Sequence, residues 1–107
     1  FWAAASAISS KTLKNPEIAK KIYDAMAKAV DFIRSNEKKS KEILTKYTPL
    51  DSTIAMDVGL YKYAKLEEFK DYIKVQELAD KMQKYGALNK KINSKTIFLK
   101  EGEIEKN

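Results

Sequence analysis

The run Asn15-Pro16-Glu17-Ile18-Ala19-Lys20-Lys21-Ile22-Tyr23-Asp24-Ala25-Met26-Ala27-Lys28-Ala29-Val30-Asp31-Phe32-Ile33-Arg34-Ser35-Asn36 decides the fold class. Asn15 is a good N-cap, because its side-chain oxygen can accept from an orphan N–H of the first turn. Pro16 sits at the first helical position, where a missing N–H costs nothing. Glu17 follows at the positive end of the helix dipole. Ile18, Ile22, Ala25, Met26, Ala29, Val30 and Ile33 then recur at helical spacing. They make one broad apolar stripe, with Lys20, Lys21, Asp24, Lys28 and Asp31 opposite. The spacing predicts a helix over 16–35. The small Ala25 and Ala29 allow another element to approach closely.

Outward from this helix the pattern stays helical. Asn36 can cap a second helix over 37–47, with Ile43, Leu44 and Tyr47 as its short apolar face. Thr48-Pro49 stops it, since the residue before proline avoids the helical region. Asp51 caps a third helix over 52–61 that carries Ile54, Ala55, Val58 and Tyr61. Gly59 weakens that helix by ~1 kcal/mol relative to alanine. The stretch through Tyr63 and Phe69 marks no clear boundary. A fourth helix over 72–85 carries Val75, Leu78, Ala79 and Met82, and Gly86 ends it as a C′ glycine. Residues 87–107 read as an irregular, lysine-broken tail.

In the other direction, Phe1, Trp2 and the small apolar residues to Ile8 predict a short strand over 1–10. A lone strand has unpaired edges and needs a sheet to join. Ala5-Ser6-Ala7 also fits a signal-cleavage pattern, but the basic and long apolar regions of a signal are missing, so the strand is preferred. Together with a first residue that is Phe, the orphan strand reads as part of a longer chain. The expected class is mainly α, with about four helices plus the short N-terminal strand. Residues 1–107 read as a single domain or fragment without a low-complexity linker or a fixed-period repeat.

Composition limits the chemistry. The 107 residues contain no cysteine and no histidine. Thiol catalysis, Ser-His arrangements and the usual zinc ligand sets are therefore excluded within them. No apolar run approaches the ~20 residues that span a bilayer. The net charge is +6, and of the 21 basic residues only Arg34 is arginine. A lysine excess suits loose electrostatics better than base readout, which favours arginine. Acid–lysine pairs recur at i,i+4: Glu17/Lys21, Asp24/Lys28, Glu37/Lys41, Glu42/Lys46, Glu77/Lys81 and Asp80/Lys84. Each supports a helix by ~0.2–0.5 kcal/mol. Such alternation describes a solvated face rather than a groove for phosphates. Nucleic acid is not the expected partner.

No catalytic constellation stands out. Ser35-Asn36-Glu37-Lys38 matches S-x-x-K, but seven serines among this many lysines make about one chance match. The motif also straddles a helix boundary, where its spacing is not fixed. Glu67-Glu68 and Glu101/Glu103/Glu105 lie among lysines and read as solvated faces. The tyrosines and Phe32 sit at helical spacing and read as core and rim rather than stacking platforms. Trp2 could line a ligand cleft or pack against a sheet. No catalytic residue, metal ligand or cofactor is expected.

The order of these signals resembles a known family. Ser10-Lys11-Thr12-Leu13-Lys14-Asn15-Pro16-Glu17 opens a helix containing Ala25-Met26-Ala27-Lys28-Ala29-Val30-Asp31-Phe32-Ile33. Asn36, Ile43-Leu44-Thr45-Lys46-Tyr47-Thr48 and Leu50-Asp51 follow. Gln76-Glu77-Leu78-Ala79-Asp80-Lys81-Met82, Gly86, Leu88 and Ile92 come later. This series resembles the C-terminal part of ABC-transporter substrate-binding proteins, of the subgroup handling nitrate, taurine, aliphatic sulfonates and thiamine-precursor pyrimidines. The resemblance covers residues 8 to 99 and rests on helix starts; the stretch from Lys62 to Lys74 departs from the pattern.

The resemblance implies a two-lobed α/β periplasmic-binding-protein fold with the ligand between the lobes. It implies that residues 1–10 return to the first lobe's sheet and that the helices cover that sheet and brace the hinge. Trp2 and Ser6 would then lie nearest the cleft and contact ligand. The implied partners are the remainder of the binding-protein chain, a membrane permease, and a small anion, sulfonate or pyrimidine. The implied location is the periplasm or the outer face of the cytoplasmic membrane, as an exported protein or lipoprotein. The implied role is solute binding without catalysis. The alternative is a small basic helical nucleic-acid-binding or adaptor domain.

Overall fold

A computed structural model of the chain describes residues 5–99, 103 and 104. These residues are mainly helical and contain no strand. They fall into two compact units. One runs to Lys65 and takes in Ile104; the other is Leu66–Glu103. The sequence shows no boundary there, because no glycine, proline or polar run marks the junction of Lys65 and Leu66.

The first unit holds α1 (Ser10–Leu13), α2 (Pro16–Ser35), α3 (Glu37–Tyr47) and α4 (Ser52–Asp57). Of the strand expected over 1–10, residues 1–4 lie outside the described residues. Residues 5–9 carry no regular structure, and Ser10 already begins α1. The reason is local. The Ser9 hydroxyl accepts from the Thr12 N–H at 3.1 Å and donates to the Thr12 hydroxyl at 2.8 Å. That N-cap starts a helical turn, and among the described residues no strand is present to pair with.

α2 has the expected bounds and the expected start. The Asn15 side chain accepts from the Ile18 N–H at 3.3 Å, and Pro16 follows at the first turn. α1 and α3 pack against α2, and α4 packs against α3. Asn36 plays a different part from the one expected. It makes no side-chain cap to α3. Its amide donates back to the Phe32 carbonyl at 3.2 Å, and its carbonyl accepts from the Ser40 hydroxyl at 2.8 Å. Asp51 caps α4 by accepting from the Thr53 N–H at 2.8 Å. α4 stops at Asp57, four residues short of the helix expected over 52–61. Val58 takes an extended conformation and Gly59 follows. The flexible glycine withholds the support that another helical turn would need.

The second unit holds a 3₁₀ turn (Leu66–Glu68), α5 (Tyr72–Lys84) and α6 (Ser94–Ile97). α5 ends in a Schellman motif. Gly86 is left-handed at φ 80°, its N–H donates to the Gln83 carbonyl at 3.1 Å, and the Ala87 N–H donates to the Met82 carbonyl at 2.8 Å. The tail expected to be irregular over 87–107 contains α6. Gln76 holds it in place: its amide donates to the Ile92 carbonyl at 2.7 Å, and its side-chain oxygen accepts from the Ser94 N–H at 2.8 Å. The Ser94 hydroxyl donates to the Tyr72 carbonyl at 2.9 Å. Phe69, Tyr72 and Phe98 close the other end as an aromatic cluster, with ring centroids 4.7 to 5.7 Å apart.

The interior is thin. Among the described residues the buried apolar side chains are Ala19, Val30, Ala55 and Ile104, and two of these four are alanines. Along α2, the buried face carries Ala19 and Val30, with Tyr23 and Ala27 half-buried between them. The neighbouring strip of the same helix is uncovered. Ile18, Ile22 and Met26 are 48 %, 45 % and 50 % exposed.

Candidate functional site

Two side chains of α2 hold a distant segment of chain in the first unit. The Arg34 guanidinium donates through Nη2 to the Tyr63 carbonyl at 2.6 Å. One turn earlier, the Asp31 carboxylate pairs with Lys65 Nζ at 2.7 Å. Residues 58–65 are thereby strapped along the end of α2 without regular structure of their own. Hydrogen bonds that involve a charged group are stronger than neutral ones, which suits a strap with no ladder to support it. Lys41 makes a similar tie. Its Nζ donates to the Met56 carbonyl at 3.1 Å and pairs with Glu37 at 3.0 Å, fixing the end of α4 to α3.

The strap leaves an open depression of about 360 Å³ beside Ile33, Arg34, Glu37, Tyr61 and Tyr63. The two tyrosine rings meet edge to face, 6.3 Å between centroids and 87° between planes. The depression thus offers aromatic walls, a guanidinium, the Lys62 ammonium and one carboxylate. That set can hold a small polar molecule by hydrogen bonds and ring contact. It has no base paired to a nucleophile, and its open form does not exclude water. Among the described residues no group of three acidic side chains is arranged to hold a metal ion.

A second shallow depression, of about 370 Å³, lies over the junction of α2 and α3. Ser35 and Lys38, the two ends of the S-x-x-K match, both line it. Asn36 breaks the helix between them, and both side chains are exposed. The expected ligand contacts lie elsewhere. Trp2 is outside the described residues. Ser6 is exposed, carries no regular structure and lines neither depression.

Of the acid–lysine pairs expected at i,i+4, Glu17 with Lys21 forms at 3.1 Å and Glu37 with Lys41 at 3.0 Å. Asp24 pairs instead with Lys20, at 2.6 Å. Glu77/Lys81 and Asp80/Lys84 do not form; Asp80 accepts from the Gln76 amide at 2.8 Å. The tie from Arg34 to Tyr63 was not legible in the sequence. Its partner is a main-chain carbonyl 29 residues away, and no spacing rule reaches that far. Comparison of the chain with protein-family models, with curated proteins and with solved structures finds no match.

Proposed function

We propose that this chain is the C-terminal portion of the solute-binding component of an ABC importer, where it completes one lobe of a two-lobed protein and braces the hinge. The observation that carries this reading is the uncovered strip of α2, with Ile18, Ile22 and Met26 in one row. Contiguous apolar surface of this kind marks a place where more protein belongs. In the proposed assembly the remainder of the binding-protein chain covers it. The helix starts at Asn15-Pro16-Glu17 and Leu50-Asp51 support the same reading by their order.

The mechanism needs no covalent step. A small anion, sulfonate or pyrimidine binds between the lobes and favours the closed form through its higher affinity for that form. In this reading Trp2 and Ser6 would contact the ligand from this part of the chain, while the helices would brace the hinge. The closed protein docks on the membrane permease and releases its cargo there. This places the protein outside the cytoplasm, in the periplasm or anchored at the membrane's outer face. On α2 and α3, the ion pairs of Lys20, Lys21 and Lys41 support this reading over a nucleic-acid-binding one for those helices, since they neutralise lysines that phosphates would use there.

The test is calorimetry on the native gene product, purified from its source cells after fractionation and titrated with nitrate, taurine, aliphatic sulfonates and pyrimidines. We expect an exported protein several times longer than this chain that binds one of these solutes in the micromolar range. A cytoplasmic product no longer than this chain, or an exported one that binds none of the four classes, overturns the reading.

A further inference from the structure

We propose that the exposed segment from the last turn of α5 through α6, residues 81–97, is a docking surface for an anionic lipid membrane. From Lys81 to Lys100 the sequence has six lysines and no acidic residue. Lys81, Lys84, Lys90, Lys91 and Lys95 are all exposed. None of these five pairs with a carboxylate among the described residues: Asp80 takes the Gln76 amide, and the i,i+4 partners that would neutralise Lys81 and Lys84 stand apart. The excess positive charge is therefore available to a partner.

The fold gathers this charge in one small unit. Gly86 turns the chain back at the end of α5, and Gln76 then clasps Ile92 and Ser94 against the same helix. Lys81, Lys84, Lys90, Lys91 and Lys95 thus belong to one compact unit.

The apolar neighbours select the partner. Tyr85 is 78 % and Ile97 59 % exposed. Lys84 Nζ lies 5.7 Å from the centre of the Tyr85 ring, so an ammonium and an amphipathic ring share one place on the surface. A lipid interface takes both kinds of group: its headgroups attract lysines, and its boundary layer accepts tyrosine and aliphatic side chains. A nucleic-acid backbone uses the charge but has no place for Ile97, and the segment contains no arginine for base edges. This inference is independent of the solute-binding reading, because it rests on the second unit alone.

The experiment is cosedimentation of the 107-residue chain with vesicles of phosphatidylcholine alone and of phosphatidylcholine mixed with phosphatidylglycerol. We expect binding to the anionic vesicles only, weakening as salt rises. Each lysine near such a surface contributes about fivefold, so K84Q/K90Q/K91Q lowers the partition roughly a hundredfold. K14Q/K28Q/K46Q removes the same charge from the first unit and leaves the partition within about twofold. Equal losses in the two variants overturn the proposal, because net charge alone would then explain the binding. So does equal binding of the unaltered chain to both vesicle types, which needs no variant to fold. Tighter binding to duplex DNA than to anionic vesicles overturns it in favour of a nucleic-acid face.

Discussion

Single residues set the ends of the helices, and these were the most legible features. A cap acts on an N–H two or three positions away, so its signal lies within one turn of sequence. Asn15 and Asp51 fill the roles that the sequence predicts. Replacing Asn15 with alanine should cost about 1 kcal/mol in urea denaturation followed by circular dichroism. Gly86→Ala should cost a similar amount, roughly 1–2 kcal/mol. Its φ of 80° disfavours any Cβ, although nothing lies within 4 Å to clash. Gly59 has neither a positive φ nor a close neighbour, so Gly59→Ala in the same assay should be neutral or stabilise by up to about 1 kcal/mol. Arg34 shows where legibility ends. The sequence marks it as the sole arginine, but its tie to the Tyr63 carbonyl exists only in the fold. Arg34→Gln should speed hydrogen exchange across 58–65 and leave α2 protected. Unchanged exchange in that segment would mean that Lys65 and Asp31 suffice to hold it.

Elements depend on what lies beside them, and there the sequence was half legible. The period of α2 gave its length, because twenty residues of regular spacing outweigh any one exception. The same period did not show that only one flank would be covered. Val30 and Ile22 look alike in the pattern, yet Val30 is buried and Ile22 is 45 % exposed. Val30→Ala should therefore cost roughly 2 kcal/mol, from lost burial and the cavity left behind. Ile22→Ser should stay within about 0.5 kcal/mol of the parent. α6 was invisible for a related reason. Four residues carry no period, and what stabilises them is Gln76, eighteen positions from Ser94. Gln76→Leu keeps the size of the side chain but strands the Ser94 N–H and the Ile92 carbonyl. It should lower stability by about 1–3 kcal/mol, with exchange over 92–97 rising first.

At the scale of the molecule, the uncovered apolar surface decides the behaviour to expect. Sixteen large apolar side chains are exposed among the described residues, whereas the larger buried ones are Val30 and Ile104. Dissolved alone, such surface associates unless its proper partner is present. Light scattering on the 107-residue chain should therefore show mass rising with concentration. Ile18→Ser, Ile22→Ser and Met26→Gln, combined, should suppress that rise with little loss of helix, since each of these side chains is about half exposed already. The two halves of this expectation separate the readings. In the proposed importer component the strip belongs against the remaining chain, so the 107 residues should associate and yet bind no solute tightly. In an adaptor domain the strip is itself the working surface, and an added partner should dissolve the association. A chain that stays monomeric at high concentration with the strip intact would remove the ground for both, because that strip would then need no cover.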